Sequence, residues 1–313
     1  MMDIYYFDKK LSKATLEQLP RIKHKRVWVD VSNITKQEAE ALREAFNLHP
    51  LTAEDLLNSN TRIKVEEFPN YLLCIFYGVQ QKKGIELIEL DFVIGRNFLI
   101  SSRNADISSY AELKGNREKL EALFRKGMDF IFHKLLDGEQ DRYFPVLEHI
   151  DDELDYLEGK LSSTPQNEIL TRILDLKHSI SLLRKTTLQQ TEKLSYIVKN
   201  EYLFISKVAL PYFRDTYDHS IRVSDLIDNY REAIINTFEF YMSTVSKNMN
   251  ESIKVLSMIA TIALPLTVIS SLYGTNFTNL PGSGFHYGFW MMVGFMLTLS
   301  ISMIIFLKRR GWA

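Results

Sequence analysis

VLSMIATIALPLTVISSLY (residues 255–273) and FWMMVGFMLTLSISMIIFL (residues 289–307) decide the architecture of this chain. Each is 19 residues of almost wholly apolar sequence, close to the roughly 20 that a helix needs to cross a hydrocarbon core. From residue 255 to residue 307 there is no Lys, Arg, Asp or Glu. One such stretch also describes the core helix of a soluble protein, but two in tandem with no charge between them predict a pair of membrane-spanning helices. Lys247 and Lys254 precede the first span, Lys308, Arg309 and Arg310 follow the second, and the loop 274–288 carries neither Lys nor Arg. The bias of basic residues toward the cytoplasmic side then places both termini in the cytoplasm and the short loop outside. Trp290 suits an anchor at the bilayer interface.

Outward from these spans the composition changes. The 313 residues carry 38 basic and 39 acidic side chains, a net charge of -1. That balance excludes a nucleic-acid surface, which needs a clear basic excess. Setting aside Lys308, Arg309 and Arg310 leaves 35 basic against 39 acidic residues before position 255, a mildly acidic soluble portion. The single cysteine, Cys74, rules out an internal disulfide or a multi-cysteine metal site, and its apolar surroundings (71–77) predict a buried, inert thiol. The N-terminus mixes acidic and basic residues without an apolar core, so it does not read as a secretory signal. No phosphate-cradling Gly-rich loop, nucleophile elbow or paired His motif points to an enzyme.

Residues 1 to about 104 read as mixed α/β. RVWVDV (26–31) is a strand pattern, and Ser32, Asn33 or Thr35 can cap a helix over 36–46. HPLTAEDLL (49–57) suits a short helix, and the β-branched and aromatic runs 71–79, 85–94 and 98–102 predict an antiparallel meander. Apolar residues then recur at helical spacing through 113–132, 143–161 and 166–199, with a break at 162–165. After Pro211 no Pro or Gly interrupts the pattern until Pro265. The chain therefore divides into a cytosolic portion (1–210), a stalk helix (211–254), a first span (255–273), an outer loop (274–288), a second span (289–307) and a basic tail (308–313).

Along the stalk end and first span, Asn250, Ile253, Ser257, Ala260, Leu264, Thr267 and Ser271 recur at alternating spacings of three and four. That seven-residue period places them on one stripe of a helix, polar at both ends and apolar in the middle. Small and hydroxylated residues on such a stripe suit helix packing in a membrane. They equally suit a pore wall with Ile253 and Leu264 as apolar constrictions. Two helices cannot enclose a pore, so the second reading requires several copies of the chain.

YGTNF (273–277), directly after this stripe, resembles the Tyr-Gly-Met-Asn-Phe signature of the CorA family of Mg2+ transporters. HPLTAEDLL (49–57), RIKVEEFPNY (62–71), PYFRDTYDH (211–219), the Asn250–Glu251 pair, IATIALPLT (259–267) and KRRGW (308–312) are similar to family sequence in family order. The resemblance implies a funnel-shaped homopentamer in the cell membrane: an α/β cytosolic domain, a long stalk helix continuing into the pore-lining first span, and an outer ring of second spans. It implies Mg2+ as the transported ion, with Gly274, Thr275 and Asn276 at the outer mouth and the 250–271 stripe as the pore wall. Mg2+ gives up its octahedral water shell reluctantly, so neutral carboxamides and carbonyls suffice to accept hydrogen bonds from a hydrated ion. Regulatory Mg2+ would bind acidic residues at subunit interfaces and hold the pore closed. The matching positions are Glu54, Asp55, Asp137 and Asp215.

The chain departs from the family pattern at Thr275, which replaces the central methionine, and at Gly282, where many members place a Glu after the proline. An acid-free mouth concentrates cations less. The ZntB branch, associated with Zn2+, shares both features, so a transporter of Zn2+, Co2+ or Ni2+ is an alternative. A membrane sensor or scaffold that no longer conducts is a second. His286 is the loop's one imidazole.

Overall fold

The computed structural model describes residues 2–82, 84–161, 167–277, 280–281 and 284–311. Described residues up to Phe238 form one compact unit, and those from Glu239 onward a second.

The first unit is built on a seven-stranded sheet. Its strands are β1 (Met2–Phe7), β2 (Leu11–Ala14), β3 (Arg26–Ser32), β4 (Lys64–Phe68), β5 (Tyr71–Gln81), β6 (Ile85–Gly95) and β7 (Phe98–Arg103), in the spatial order β2-β1-β3-β7-β6-β5-β4. All neighbours pair antiparallel except β3 and β7, which run parallel. Strand alternation divides the buried side chains between two cores. Trp28, Leu72, Cys74, Phe76, Leu90, Phe92 and Leu99 belong to one. Val29, Val31, Leu73, Ile75, Val93 and Ile100 belong to the other. Both faces are covered, which is why β5 reads as a continuous apolar run rather than an alternating one.

The second of these cores is covered by α1 (Leu19–Ile22), α2 (Lys36–Phe46) and α3 (Pro50–Leu57), through Leu19, Leu42, Phe46 and Leu56. Thr35 caps α2: its hydroxyl accepts from Glu38 N while Glu38 Oε2 accepts from Thr35 N at 2.9 Å. The helix ends at Asn47 with φ +53°, a left-handed conformation that Asn tolerates. The first core is covered by α4 (Ser108–Gly115), α5 (Arg117–Lys126), α6 (Met128–Asp141) and α8 (Asn167–Lys199), while α7 (Tyr143–Leu161) buries Tyr143 and Leu157.

The sequence expectations meet the structure with two differences. The meander over β5, β6 and β7 forms, but β1, β2 and β4 add to it and β3 joins by a parallel pairing. The helix expected over 113–132 is three helices. Asn116 caps α5 by accepting from Lys119 N at 3.0 Å, and Gly127 separates α5 from α6. The expected break at 162–165 lies outside the described residues.

One helix, α9 (Leu210–Tyr273), runs for 64 residues and passes through Pro265 without interruption. In the first unit it buries Phe213, Thr216, Ser220, Val223, Ile227, Ile234 and Thr237, a seven-residue repeat like that of a coiled-coil seam. In the second unit, Met258, Ile262, Pro265 and Ile269 continue the same phase and are half-buried. They share that unit with α10 (Gly288–Arg309), whose Met292, Met296, Leu299 and Met303 are half-buried in turn. Both helices are long and apolar enough to cross a membrane.

Candidate cation-binding sites

The outer motif begins where α9 ends. Gly274 N donates to Ser270 O at 2.9 Å, closing the last turn. A Cβ on Gly274 would come within 3.2 Å of that same carbonyl, a tight approach that a side chain meets only if the turn gives by a few tenths of an ångström. Thr275 donates its hydroxyl proton to Leu272 O at 2.8 Å. It therefore caps the helix through a carbonyl that has no partner within it. Tyr273 OH donates to Pro281 O at 3.1 Å and ties the loop to the helix end. Asn276 follows, exposed. The adjacent cleft of about 630 Å³ is lined by Ile269, Tyr273, Pro281, Phe285, Met292 and Phe295, and His286 lies on its rim.

The stripe named from sequence is entirely within α9. Asn250, Ile253, Ala260, Leu264, Thr267 and Ser271 are exposed, and Ser257 is half-buried. At 100° per residue, this stripe lies roughly opposite the row formed by Met258, Ile262, Pro265 and Ile269. The helix thus covers one side within the protomer and leaves the other uncovered. At the inner end, Ser246, Lys247, Asn250, Glu251 and Lys254 line an open cavity, and Lys254 Nζ donates to Gly311 O at 2.9 Å.

The acidic positions separate into two places. Asp137 lies on α6 one turn before Asp141, and both meet His219 of α9, with one ligand atom from each residue within 4.8 Å of the others. His219 Nδ1 is 3.6 Å from Asp141 Oδ1. Lys134 Nζ pairs with Asp137 Oδ2 at 2.9 Å, and Thr216 Oγ1 donates to Asp137 Oδ1 at 3.5 Å. Burial, and then the neighbouring Asp137 carboxylate, raise the carboxyl of Asp141 above its ordinary range. Asp215, exposed one turn before His219, adds its charge to the same neighbourhood. Two carboxylates and an imidazole converging this closely can hold a divalent cation.

Asp55 and Glu54 belong to no such group among the described residues. Asp55 is half-buried and pairs with Lys64 Nζ at 2.7 Å, while Glu54 is exposed. Sequence reasoning named Asp137 and Asp215 but missed Asp141 and His219. The signal was available in the same motifs: each lies four residues beyond a named carboxylate, on the same face of its helix.

Residues 23–309 match the family described as CorA-like Mg2+ transporter protein. The cobalt/magnesium transport protein CorA of Thermotoga maritima is 32% identical, over 91% of this chain and 83% of that protein. The complete structure of the CorA magnesium transporter from Methanocaldococcus jannaschii superposes with a TM-score of 0.86 at 21% identity, covering 100% of this chain and 99% of that one. The ZntB cytoplasmic domain from Vibrio parahaemolyticus shares the fold at a TM-score of 0.64 and 11% identity, over 78% of this chain and 98% of the domain. With a family match over most of its length and a relative of this similarity, the chain belongs to the CorA-like Mg2+ transporter protein family.

Proposed function

We propose that this protein carries a divalent cation, principally Mg2+, across the cell membrane as a homopentamer with both termini in the cytoplasm. One observation carries the reading. Apart from the half-buried Ser257, the stripe from Asn250 to Ser271 lies exposed on the side of α9 roughly opposite the half-buried row Met258, Ile262, Pro265 and Ile269, and leads to Gly274, Thr275 and Asn276. Copies arranged around an axis would turn that stripe inward. Asn250 and Asn276 would then form polar rings at the two ends, with Ile253 and Leu264 as constrictions between them. Neutral oxygens accept hydrogen bonds from the water shell that Mg2+ keeps. Membrane potential supplies about 2.3 kcal/mol per charge per 100 mV, and so roughly twice that for a divalent ion.

Regulation by internal Mg2+ would act through Asp55, Glu54, Asp137 and Asp215, extended by Asp141 and His219. Carboxylates brought together repel one another unless a cation bridges them, so occupancy favours the assembly that holds them close. Asp55→Ala or Asp215→Ala would then weaken closure at high internal Mg2+. Closure unchanged in both would remove the sensing role.

A Zn2+-carrying alternative gains weight from His219, since an imidazole beside carboxylates suits Zn2+ better than Mg2+. Flux of competing divalent ions into proteoliposomes separates the readings. Mg2+ entry that follows voltage and ignores a pH gradient supports the first, and Zn2+ entry that excludes Mg2+ supports the second. Asn276→Ala reduces flux about tenfold or more, since each lost acceptor of a water's hydrogen bond counts for about 1 kcal/mol. Wild-type flux from abundant, assembled Asn276→Ala protein refutes the pore reading and leaves the scaffold alternative.

A further inference from the structure

The core row on the α2–α3 side of the sheet does not end in apolar residues. On β6, Val93 belongs to that core, and the next two positions on the same face are Asp91 and Glu89. They are 4% and 3% exposed. Beside them lies a cavity of about 320 Å³, lined also by Asn33, Asn58, Ser59 and Ser102. Ser102 stands directly opposite Asp91 in the β6–β7 register. Leu56 and Leu57, at the C-terminal end of α3, form one wall.

The polar atoms here are unevenly satisfied. Glu89 Oε2 accepts from Thr61 N at 2.9 Å and from Tyr77 OH at 3.1 Å. Neither Glu89 Oε1 nor Asp91 Oδ1 has a hydrogen-bond partner among the described residues. The nearest cations are engaged elsewhere. Lys64 pairs with Asp55 and Glu66. Arg103 also lines the cavity, but its side chain belongs to the opposite face, where the guanidinium pairs with Asp30 and stacks over Tyr110. Burial and the adjacent Glu89 carboxylate raise the Asp91 carboxyl well above its ordinary range. Two buried carboxyls close enough to hydrogen-bond each other thus face a cavity, and Lys64, the cation that acts on Asp91, is itself engaged by Asp55 and Glu66.

We infer that this cavity is an intraprotomer site for a hard divalent cation, held by Glu89 and Asp91 with Ser102, Asn33 and Asn58 as neutral oxygen donors. The donor set is all oxygen, with no imidazole or thiolate, which suits Mg2+, Mn2+ or Ca2+ over Zn2+. At about 30 Å³ per water, the cavity has room for an ion that retains several of its waters. The C-terminal end of a helix adds a favourable partial negative charge. The site lies on the α2–α3 side of the sheet, whereas α6, which carries Asp137 and Asp141, covers the opposite face, and it does not depend on the conduction reading.

The test uses the full-length protein in detergent, in a background of Glu54→Gln, Asp55→Asn, Asp137→Asn, Asp141→Asn, Asp215→Asn and His219→Gln that removes the other cytosolic candidate ligands. Mn2+ bound per protomer is counted by electron paramagnetic resonance before and after adding Glu89→Gln and Asp91→Asn. Loss of one Mn2+ per protomer supports the site, and an unchanged count in folded protein overturns it. A second measurement needs no substitution. Fe2+ with ascorbate and peroxide cuts backbone close to bound metal, so wild-type protein should yield fragments ending near 58–59 and 89–91 that excess Mg2+ suppresses. Absence of both cuts would show that the two carboxyls merely share a proton. Either failure leaves the flux of the wild-type protein, and so the transport reading, untouched.

Discussion

Two rows run along α9 with the same alternating spacing of three and four, and they meet opposite fates. One is buried in the α/β unit from Phe213 through Thr237, is interrupted by the exposed Glu251 and Val255, and is half-buried again at Met258, Ile262, Pro265 and Ile269. The other, from Asn250 to Ser271, stays uncovered. The seven-residue period fixes only that a row will share a face, and the chemistry of the row decides what covers it. Phe213, Val223, Ile227 and Ile234 exclude water and are complete within one chain. Asn250, Ser257, Thr267 and Ser271 offer oxygens at intervals along an apolar wall, which a single chain leaves unused and which copies of the same helix could share.

That contrast can be broken by substitution. The largest effect belongs to Phe213, fully buried with its ring centroid 5.4 Å from that of Phe132. Phe213→Ala should cost about 3–5 kcal/mol in urea unfolding of the α/β unit. A loss under about 1 kcal/mol would mean that the covered row is not what holds α9 to that unit. Asp30→Ala comes next. Asp30 pairs with both Arg103 and Lys114 in the buried interior. Removing it strands two cations at about 3–5 kcal/mol, with any relaxation of Lys114 toward Asp3 reducing the figure. Leu264→Ala sharpens the contrast from the other side: stability changes by less than about 1 kcal/mol, while conductance rises severalfold as a constriction opens. A destabilised protomer with unchanged conductance would place Leu264 in packing instead.

Smaller effects follow from the buried groups beneath the covered row. Burial depresses the imidazole of His133, which lies 3.1 Å from both Tyr212 O and Thr216 Oγ1. A base held neutral in the fold binds its proton more tightly when unfolded. Its contribution is therefore complete above the ordinary value near 6.5 and is lost as pH falls below it toward the depressed value. The stability difference between wild type and His133→Gln should narrow as the pH drops from 7 to 5, and a constant difference would remove His133 from the pH dependence. Cys74 is fully buried and its thiol is pushed far up. It should ignore a thiol reagent from pH 6 to 9 until urea is added, and reaction in the native protein would contradict the closed packing of the sheet.

Apolar length and the missing charges between 255 and 307 made the spans legible, and β-branched runs made the meander so. The edge strands escaped because edges are written in a different vocabulary. β4 reads KVEEF, with two exposed glutamates, as befits a strand that must discourage further pairing. β2, LSKA, is the other edge and only four residues long. The parallel joining of β3 to β7 depends on chain segments some seventy residues apart, which no local pattern records. A candidate site could be named where a motif was contiguous, at YGTNF. None could be named where α6 and α9 bring Asp141 to His219, or where an apolar row gives way to Asp91 and Glu89. Both are facts of packing that spacing alone does not disclose.

The phenol of Tyr273 ties together two points of the chain eight residues apart. As the last residue of α9, it grips the carbonyl of Pro281 across the turn, so that part of the loop is hooked to the end of a single uninterrupted helix. The bond fixes Pro281 against the helix end and contributes about 1 kcal/mol to holding it there. Tyr273→Phe would release that carbonyl and leave the end of the longest helix without its tether to the loop.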